Sequence, residues 1–413
     1  MNDNSKPVPT ARQHGAMEYS VPPVDLDSVR RYRIERVRAE LRKRDYAGIV
    51  LFDQLNTRYA TDVTNMQIWC SHNENRYVFI ATEGPAIVFE YAAKAHLAEG
   101  IPTVDEVRPA RPWYYFVSGN RYRDQARRWA AEITDLVIQY GGGNKRLAID
   151  RTGYEGISAL LSNGIELFDG FEVMEHAREM KSPEEIVLMR CAIEVCERSM
   201  DAMREALRPG ITENALYSKM HEANVAMGGE WIETRLLSSG PRTNPWFREA
   251  SMRPIEKGDL VSFDTDLIGP YGYCADISRS WVCGEGRPTD EQRRLYALAV
   301  EQIEHNKSLI RPGVALREIS EKAWPIPDEF MPNRYGCLIH GVGLCDEYPD
   351  VYHLVDFVDS GYDDVIREGM TLCVESYMGA TGGREGVKLE DQFLVTATGL
   401  EPLSVYPLEL DWL

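Results

Sequence analysis

Long apolar runs are missing from this 413-residue sequence, and no stretch approaches the roughly 18 uninterrupted apolar residues that cross a membrane. The first twenty-five residues are polar and lack an apolar core, so a mobile tail is expected there, not a secretory signal. Positive charge is scarce as well. Lys and Arg number 46 against 65 Asp and Glu, a net charge of −19, which would repel phosphate backbones and argues against a nucleic-acid partner. Cysteine is limited to eight residues, with no C-x-x-C pair; this disfavours a zinc–thiolate site and suits reduced, mostly buried thiols in a cytoplasmic protein. What is present, 44% hydrophobic and 27% charged residues, is the composition of a soluble globular chain long enough for two or three domains.

The first clear element is an amphipathic helix over 27–44, for which Asp27 is a plausible N-cap. The apolar run 47–52 reads as a buried strand, and 76–81 with 86–90 as a hairpin around Gly84-Pro85. A helix over 121–139 and a strand over 146–150 follow, giving an α/β domain over 26–175. Lys181-Ser182-Pro183-Glu184-Glu185 then opens a second domain, 176–413. Ser182 can cap, Pro183 fits the first helical position and Glu185 completes a capping box.

The second domain nearly repeats itself. Leu207-Arg208-Pro209-Gly210-Ile211 recurs as Ile310-Arg311-Pro312-Gly313-Val314, each before an expected helix. Lys257-Gly258-Asp259-Leu260-Val261-Ser262-Phe263-Asp264 recurs loosely as Glu368-Gly369-Met370-Thr371-Leu372-Cys373-Val374-Glu375, in each case a turn and then a strand expected to end on an acid. A second acid lies within a hairpin's reach of each strand, Asp276 and Glu390. Two related halves folded face to face would bring these acids to one pseudo-twofold centre. Buried carboxylates need paired charges or a cation. Arg279 and Lys388 could pair with one or two of them, but not with all. His340 sits among glycines in His340-Gly341-Val342-Gly343, which lets backbone approach a ligand closely; an apolar strand over 335–339 is expected before it. An oxygen-rich set with one imidazole suits manganese, iron or cobalt, with zinc possible, and two such ions would form a two-metal clamp.

Taken together, Met180 to Glu185, Lys257 to Val261, Gly272 to Arg279, His340 to Gly343, Val374-Glu375 and Gly386 to Asp391 resemble the pita-bread metallopeptidase superfamily of prolidase, aminopeptidase P and creatinase. Asn56 to Thr61 resembles its creatinase-type N-terminal domain. The implied fold class is α+β: a pita-bread catalytic domain with an internal pseudo-twofold, preceded by a smaller α/β domain. The implied ligands are Asp264, Asp266, Asp276, His340, Glu375 and Glu390, holding two transition-metal ions. Where the superfamily has one Asp on the first strand, Asp264 and Asp266 flank Thr265; alternate strand positions face one way, so both can reach the metals.

Other positions depart from the peptidases. Trp246 and Phe247 stand where a substrate-holding histidine is usual, and Asp346 takes the place of a proton-shuttling histidine. This set is similar to the dimethylsulfoniopropionate lyases within the superfamily. The resemblance implies β-elimination of dimethyl sulfide from a small zwitterionic sulfonium, leaving acrylate, with iron favoured. Asp346 would be the general base, with Tyr335 second to it. A sulfonium needs aromatic faces; the candidates are Tyr335 and Trp246 first, then Phe247, Trp69, Trp113 and Tyr114. A cytoplasmic homodimer is implied too. The alternative is a metallohydrolase of the X-Pro dipeptidase or aminopeptidase type.

Overall fold

The computed structural model describes residues 23–413, together with the backbone of two short paired strands, Arg12–His14 and Met17–Tyr19. Most of the expected N-terminal tail lies outside the described residues. The chain divides into two compact units, Asp25–Arg178 and Glu179–Leu413.

In the first unit a six-stranded mixed sheet runs in the order Glu106–Pro109, Ala86–Glu90, Tyr77–Ala81, Gly48–Leu51, Arg146–Ile149, Glu166–Asp169. All of Gly48–Leu51 is buried, because both faces of the sheet are covered. Helix Tyr122–Tyr140 lays Trp129, Ile133 and Val137 against Val50, Phe52, Phe79 and Phe89. Helix Leu26–Lys43 packs with Gly170–Arg178, which carries the unit three residues past the expected end at 175. Its cap is Asp25, not Asp27: the Asp25 carboxylate accepts from the amides of Asp27 (3.0 Å) and Ser28 (3.2 Å), while Asp27 pairs with Arg30. Asp150 ties this unit together. It accepts hydrogen bonds from the amides of Phe52 (2.8 Å), Asp53 (3.0 Å) and Arg151 (2.7 Å) and from Asn56 Nδ2 (3.1 Å). Burial pushes its carboxyl up to about 7, against those donors, which favour the charged form.

The second unit holds a five-stranded antiparallel sheet, ordered Asp346–Val351, Ile339–Val342, Thr371–Met378, Val387–Thr396, Gly399–Pro402. Two three-stranded sheets accompany it: Leu237–Ser239, Leu260–Phe263, Arg279–Val282, and Cys274–Ala275, Leu267–Ile268, Trp231–Ile232. The capping box opens helix Pro183–Ala206 as the sequence suggests, with Ser182 accepting from Glu185 N at 3.2 Å. Helix Asp290–Leu309 packs over Thr371–Met378 and Val387–Thr396, its Leu295, Ala299 and Ile303 joining Leu372, Val374 and Leu389 in the core.

The internal repeat is reproduced bond for bond. Gly210 N donates to Ile255 O (2.8 Å) and Ile255 N to Ile211 O (2.8 Å); in the other half Gly313 N donates to Ile366 O (2.8 Å) and Ile366 N to Val314 O (2.9 Å). Gly258 and Gly369 turn into the two acid-bearing strands at φ of 88° and 90°, a left-handed conformation that glycine adopts without steric cost. Two expectations need correction. The strand before the histidine begins at Ile339, so His340 lies within Ile339–Val342, where the glycine-rich chain can pair on both sides. Glu375 does not end its strand but sits mid-way along Thr371–Met378, directly opposite Glu390 in Val387–Thr396.

Replacing Asp150 by Ala would orphan four N–H donors. The first unit is expected to lose about 2 kcal/mol, measured as an earlier transition in urea unfolding; wild-type stability would contradict the role given to Asp150.

Candidate metal centre

The two halves deliver their acids to one place. Asp264 follows strand Leu260–Phe263, Asp276 follows Cys274–Ala275, and Glu375 and Glu390 face each other across the long hairpin. Like charges directly opposite on a sheet are destabilising, so a counter-charge is needed. Lys388, two residues from Glu390 on the same face, supplies one. Its Nζ lies 2.7 Å from Glu390 Oε2, 2.8 Å from Glu375 Oε2 and 3.3 Å from Asp264 Oδ2, and it is fully buried. Ser278 Oγ closes this ring, donating to Asp264 Oδ1 at 2.7 Å and lying 3.0 Å from Glu390 Oε2. Arg279, the other candidate cation, turns away to Asp391 and to the carbonyls of Ser278 and Glu390.

His340 enters from the neighbouring strand. Its Nε2 lies 3.1 Å from Glu390 Oε1, 3.4 Å from Glu375 Oε1 and 3.6 Å from Asp276 Oδ2, and its Nδ1 lies 3.8 Å from Asp346 Oδ1. Asp266 is reached through a left-handed backbone step (φ 35°) and accepts from Thr234 Oγ1. The structure thus brings together all six expected ligands and Asp346. Of the six acids only Asp346 opens to solvent, with 59% of its side chain exposed.

The electrostatics follow from this crowding. Burial, then the charges of Glu390, Asp264 and Asp266, hold the Asp276 carboxyl well above its usual range. Burial and Asp264 do the same to Asp266. Glu375 is pushed up to about 7 by burial and by Glu390 opposite. Glu390 is instead lowered: burial would raise it, but Lys388 and His340 outweigh that. Burial opposes charge on His340, yet Asp346 and Glu390 hold the imidazole well above its ordinary value. Asp346 is raised by its desolvating neighbourhood, with His340 acting in the opposite sense; its open side moderates the first effect.

The residues fit a metal centre. Six carboxylates face a single lysine, Lys388, and an imidazole that holds a metal is neutral, so most of the negative charge is left for metal ions to match. Asp276 Oδ1 is buried with no hydrogen-bond partner, as an oxygen reserved for a cation would be. Donor atoms of Asp276, His340, Cys373 and Glu390 lie within 4.8 Å of one another, as do those of Asp266, Cys274 and Asp346.

The thiols of these clusters were not anticipated. Cys373 precedes Glu375 by two residues and so shares its strand face, a signal that alternation alone carries. Cys337 donates to Glu375 Oε1 at 2.9 Å. Burial and the adjacent acids raise the thiols of Cys274, Cys337 and Cys373.

The aromatic candidates separate. Tyr335 holds its ring 4.5 Å from Lys388 Nζ, and Phe247, at φ 71°, stacks on it at 5.3 Å. Phe247, not Trp246, is therefore the ring against Tyr335. Trp246 is buried beside Tyr377 at 6.0 Å. Trp69, Trp113 and Tyr114 belong to the first unit: Trp113 is a core residue packed on Trp129 at 5.6 Å, Trp69 is part-exposed against Tyr91, and Tyr114 lies near Phe116.

Comparison with known proteins gives this centre its kin. Residues 187–397 match Metallopeptidase family M24, and residues 33–180 match the Creatinase/Prolidase N-terminal domain. The chain is 43% identical over 390 residues to the dimethylsulfoniopropionate lyase DddP of Roseovarius nubinhibens, covering 93% of this chain and 87% of that one. It is 42% identical over 392 residues to the DddP of Roseobacter denitrificans, with the same coverage. The prolidase of Pyrococcus horikoshii shares the fold, with a TM-score of 0.73 at 23% identity over 92% of this chain and 99% of that one. The chain belongs to metallopeptidase family M24, in the branch formed by the dimethylsulfoniopropionate lyases of the DddP type.

Proposed function

We propose that the protein is a carbon–sulfur lyase that cleaves dimethylsulfoniopropionate to dimethyl sulfide and acrylate. One observation carries the reading beyond kinship. All six proposed ligands converge, and an open carboxylate, Asp346, stands 3.8 Å from the imidazole of His340, where a peptidase needs a second imidazole. A carboxylate is suited to accept a proton.

Asp264, Asp266, Asp276, His340, Glu375 and Glu390 would hold two transition-metal ions, iron by preference, whose Lewis acidity draws charge from the substrate carboxylate. Asp346 takes the proton from the carbon beside that carboxylate. The C–H electron pair becomes the new C=C bond, the C–S bond breaks with its pair on sulfur, and the sulfide leaves neutral. Tyr335 and Phe247 offer stacked faces to the dimethylsulfonium. Burial and the charge of Glu375 hold the Tyr335 hydroxyl above its ordinary value, and Tyr335 stays second to Asp346 as the base. A homodimer is part of the proposal. Hydrolysis of X-Pro dipeptides is the weaker alternative, since the more distant prolidase likeness supports only the fold.

Incubation of the purified protein with dimethylsulfoniopropionate should yield equimolar dimethyl sulfide and acrylate, measured by headspace chromatography and proton NMR. Release of proline from an X-Pro dipeptide, with no sulfide formed, would overturn the assignment. Replacing Asp346 by Asn removes the base but none of the six ligands. The expected loss in kcat is about 10³-fold with metal content unchanged; retained activity would move the base elsewhere.

A further inference from the structure

Behind Asp346 lies a buried ion pair between Lys181 and Glu347. Glu347 follows Asp346 in strand Asp346–Val351, and successive strand side chains point to opposite faces. Asp346 therefore opens to the site while Glu347 turns inward. The Glu347 side chain is 1% exposed and its Oε2 lies 2.8 Å from Nζ of Lys181, itself 4% exposed. Its Oε1 accepts from the Leu344 amide at 3.0 Å. A Cβ added at Gly343 would lie 2.4 Å from Glu347 Oε2, so the chain at 343–346 is folded directly onto this carboxylate. Lys181 is anchored in turn. Its amide donates to Gly369 O at 3.0 Å, on the turn that leads into the strand of Glu375. Ser182, next in sequence, caps helix Pro183–Ala206.

Resting on the reading of Asp346 as base, we infer that Lys181 and Glu347 are positioning residues for the elimination. Their ion pair fixes the turn from Gly343 to Asp346 against the start of the long helix and the entry to the Glu375 strand. That sets the direction from which the Asp346 carboxylate meets the substrate. Among the described residues no hydrogen bond holds the Asp346 carboxylate, and His340 Nδ1 lies 3.8 Å away, beyond hydrogen-bond distance, so its aim comes from the backbone beneath it. Proton abstraction is steep in distance and angle, and a displacement of about 1 Å costs on the order of 100-fold in rate.

The test removes the clamp without stranding a buried charge, because deleting only one partner would leave the other uncompensated. Metal-loaded wild type is compared with the double variant Lys181→Met/Glu347→Gln and with Gly343→Ala, which keeps both charges and displaces only the Glu347 carboxylate. Both variants should lose about 10- to 100-fold in kcat, with KM and bound metal at wild-type values. The primary isotope effect for substrate deuterated beside the carboxylate should rise, because proton transfer becomes more limiting. A purely structural role would lower the melting temperature and leave the isotope effect unmoved. Wild-type kcat in either folded, metal-loaded variant overturns the inference, as does a loss that falls on KM or metal content instead. If the double variant does not fold, Gly343→Ala carries the test alone. Failure of the wild type to release dimethyl sulfide would instead overturn the lyase assignment, a separate outcome.

Discussion

Concentrated negative charge is the constraint on which the rest of this protein's second unit depends. Six carboxylates converge on a single buried lysine and a single imidazole, and most of their charge remains to be matched. Such a cluster cannot be folded by hydrophobic packing alone, since an unpaired buried carboxylate costs far more than any one side chain gains by burial. Protonation offers one escape, and the raised Asp276, Asp266 and Glu375 carboxyls are drawn toward it. Metal ions offer the other, and the partnerless Asp276 Oδ1 points the same way.

The architecture can be read as the means of holding that charge in place. Two copies of one turn-and-strand design, each opened by a left-handed glycine, aim acids at a shared centre. The hairpin register sets Glu375 against Glu390, an arrangement tolerable only with Lys388 between them. Core packing of Asp290–Leu309 over the same two strands supplies the rigidity a preorganised site needs. Chemistry then enters where the charge cage opens. Asp346 is at once the most exposed of the acids and the one outside the proposed ligand set.

Much of this was legible in the sequence. The repeated Pro-Gly and Gly-acid segments announce both the duplication and the convergence of its acids, because glycine and buried acid each carry a specific physical demand. The capping box at Ser182 gave the second unit's first helix correctly. Errors arose where tertiary context decides. Asp25 and Asp27 are equally good caps on paper, and only the entry direction of the chain selects Asp25. The strand near His340 was shifted because apolar residues 335–339 read as a strand although pairing starts at Ile339. That Phe247 stacks on Tyr335 is not legible in the sequence, since a side chain on a left-handed residue points where no periodicity predicts. Cys373 shares the face of Glu375 by strand alternation, a signal that its apolar neighbours mask.

The account stands or falls on the charge it assigns to the centre. Metal analysis by mass spectrometry, run on purified protein beside a melting curve with and without chelator, addresses this directly. About two transition-metal ions per chain are predicted, and stripping them should lower the melting temperature and leave an acidic cluster that takes up protons near neutral pH. Metal-free protein that melts at the same temperature and retains full activity would contradict the account.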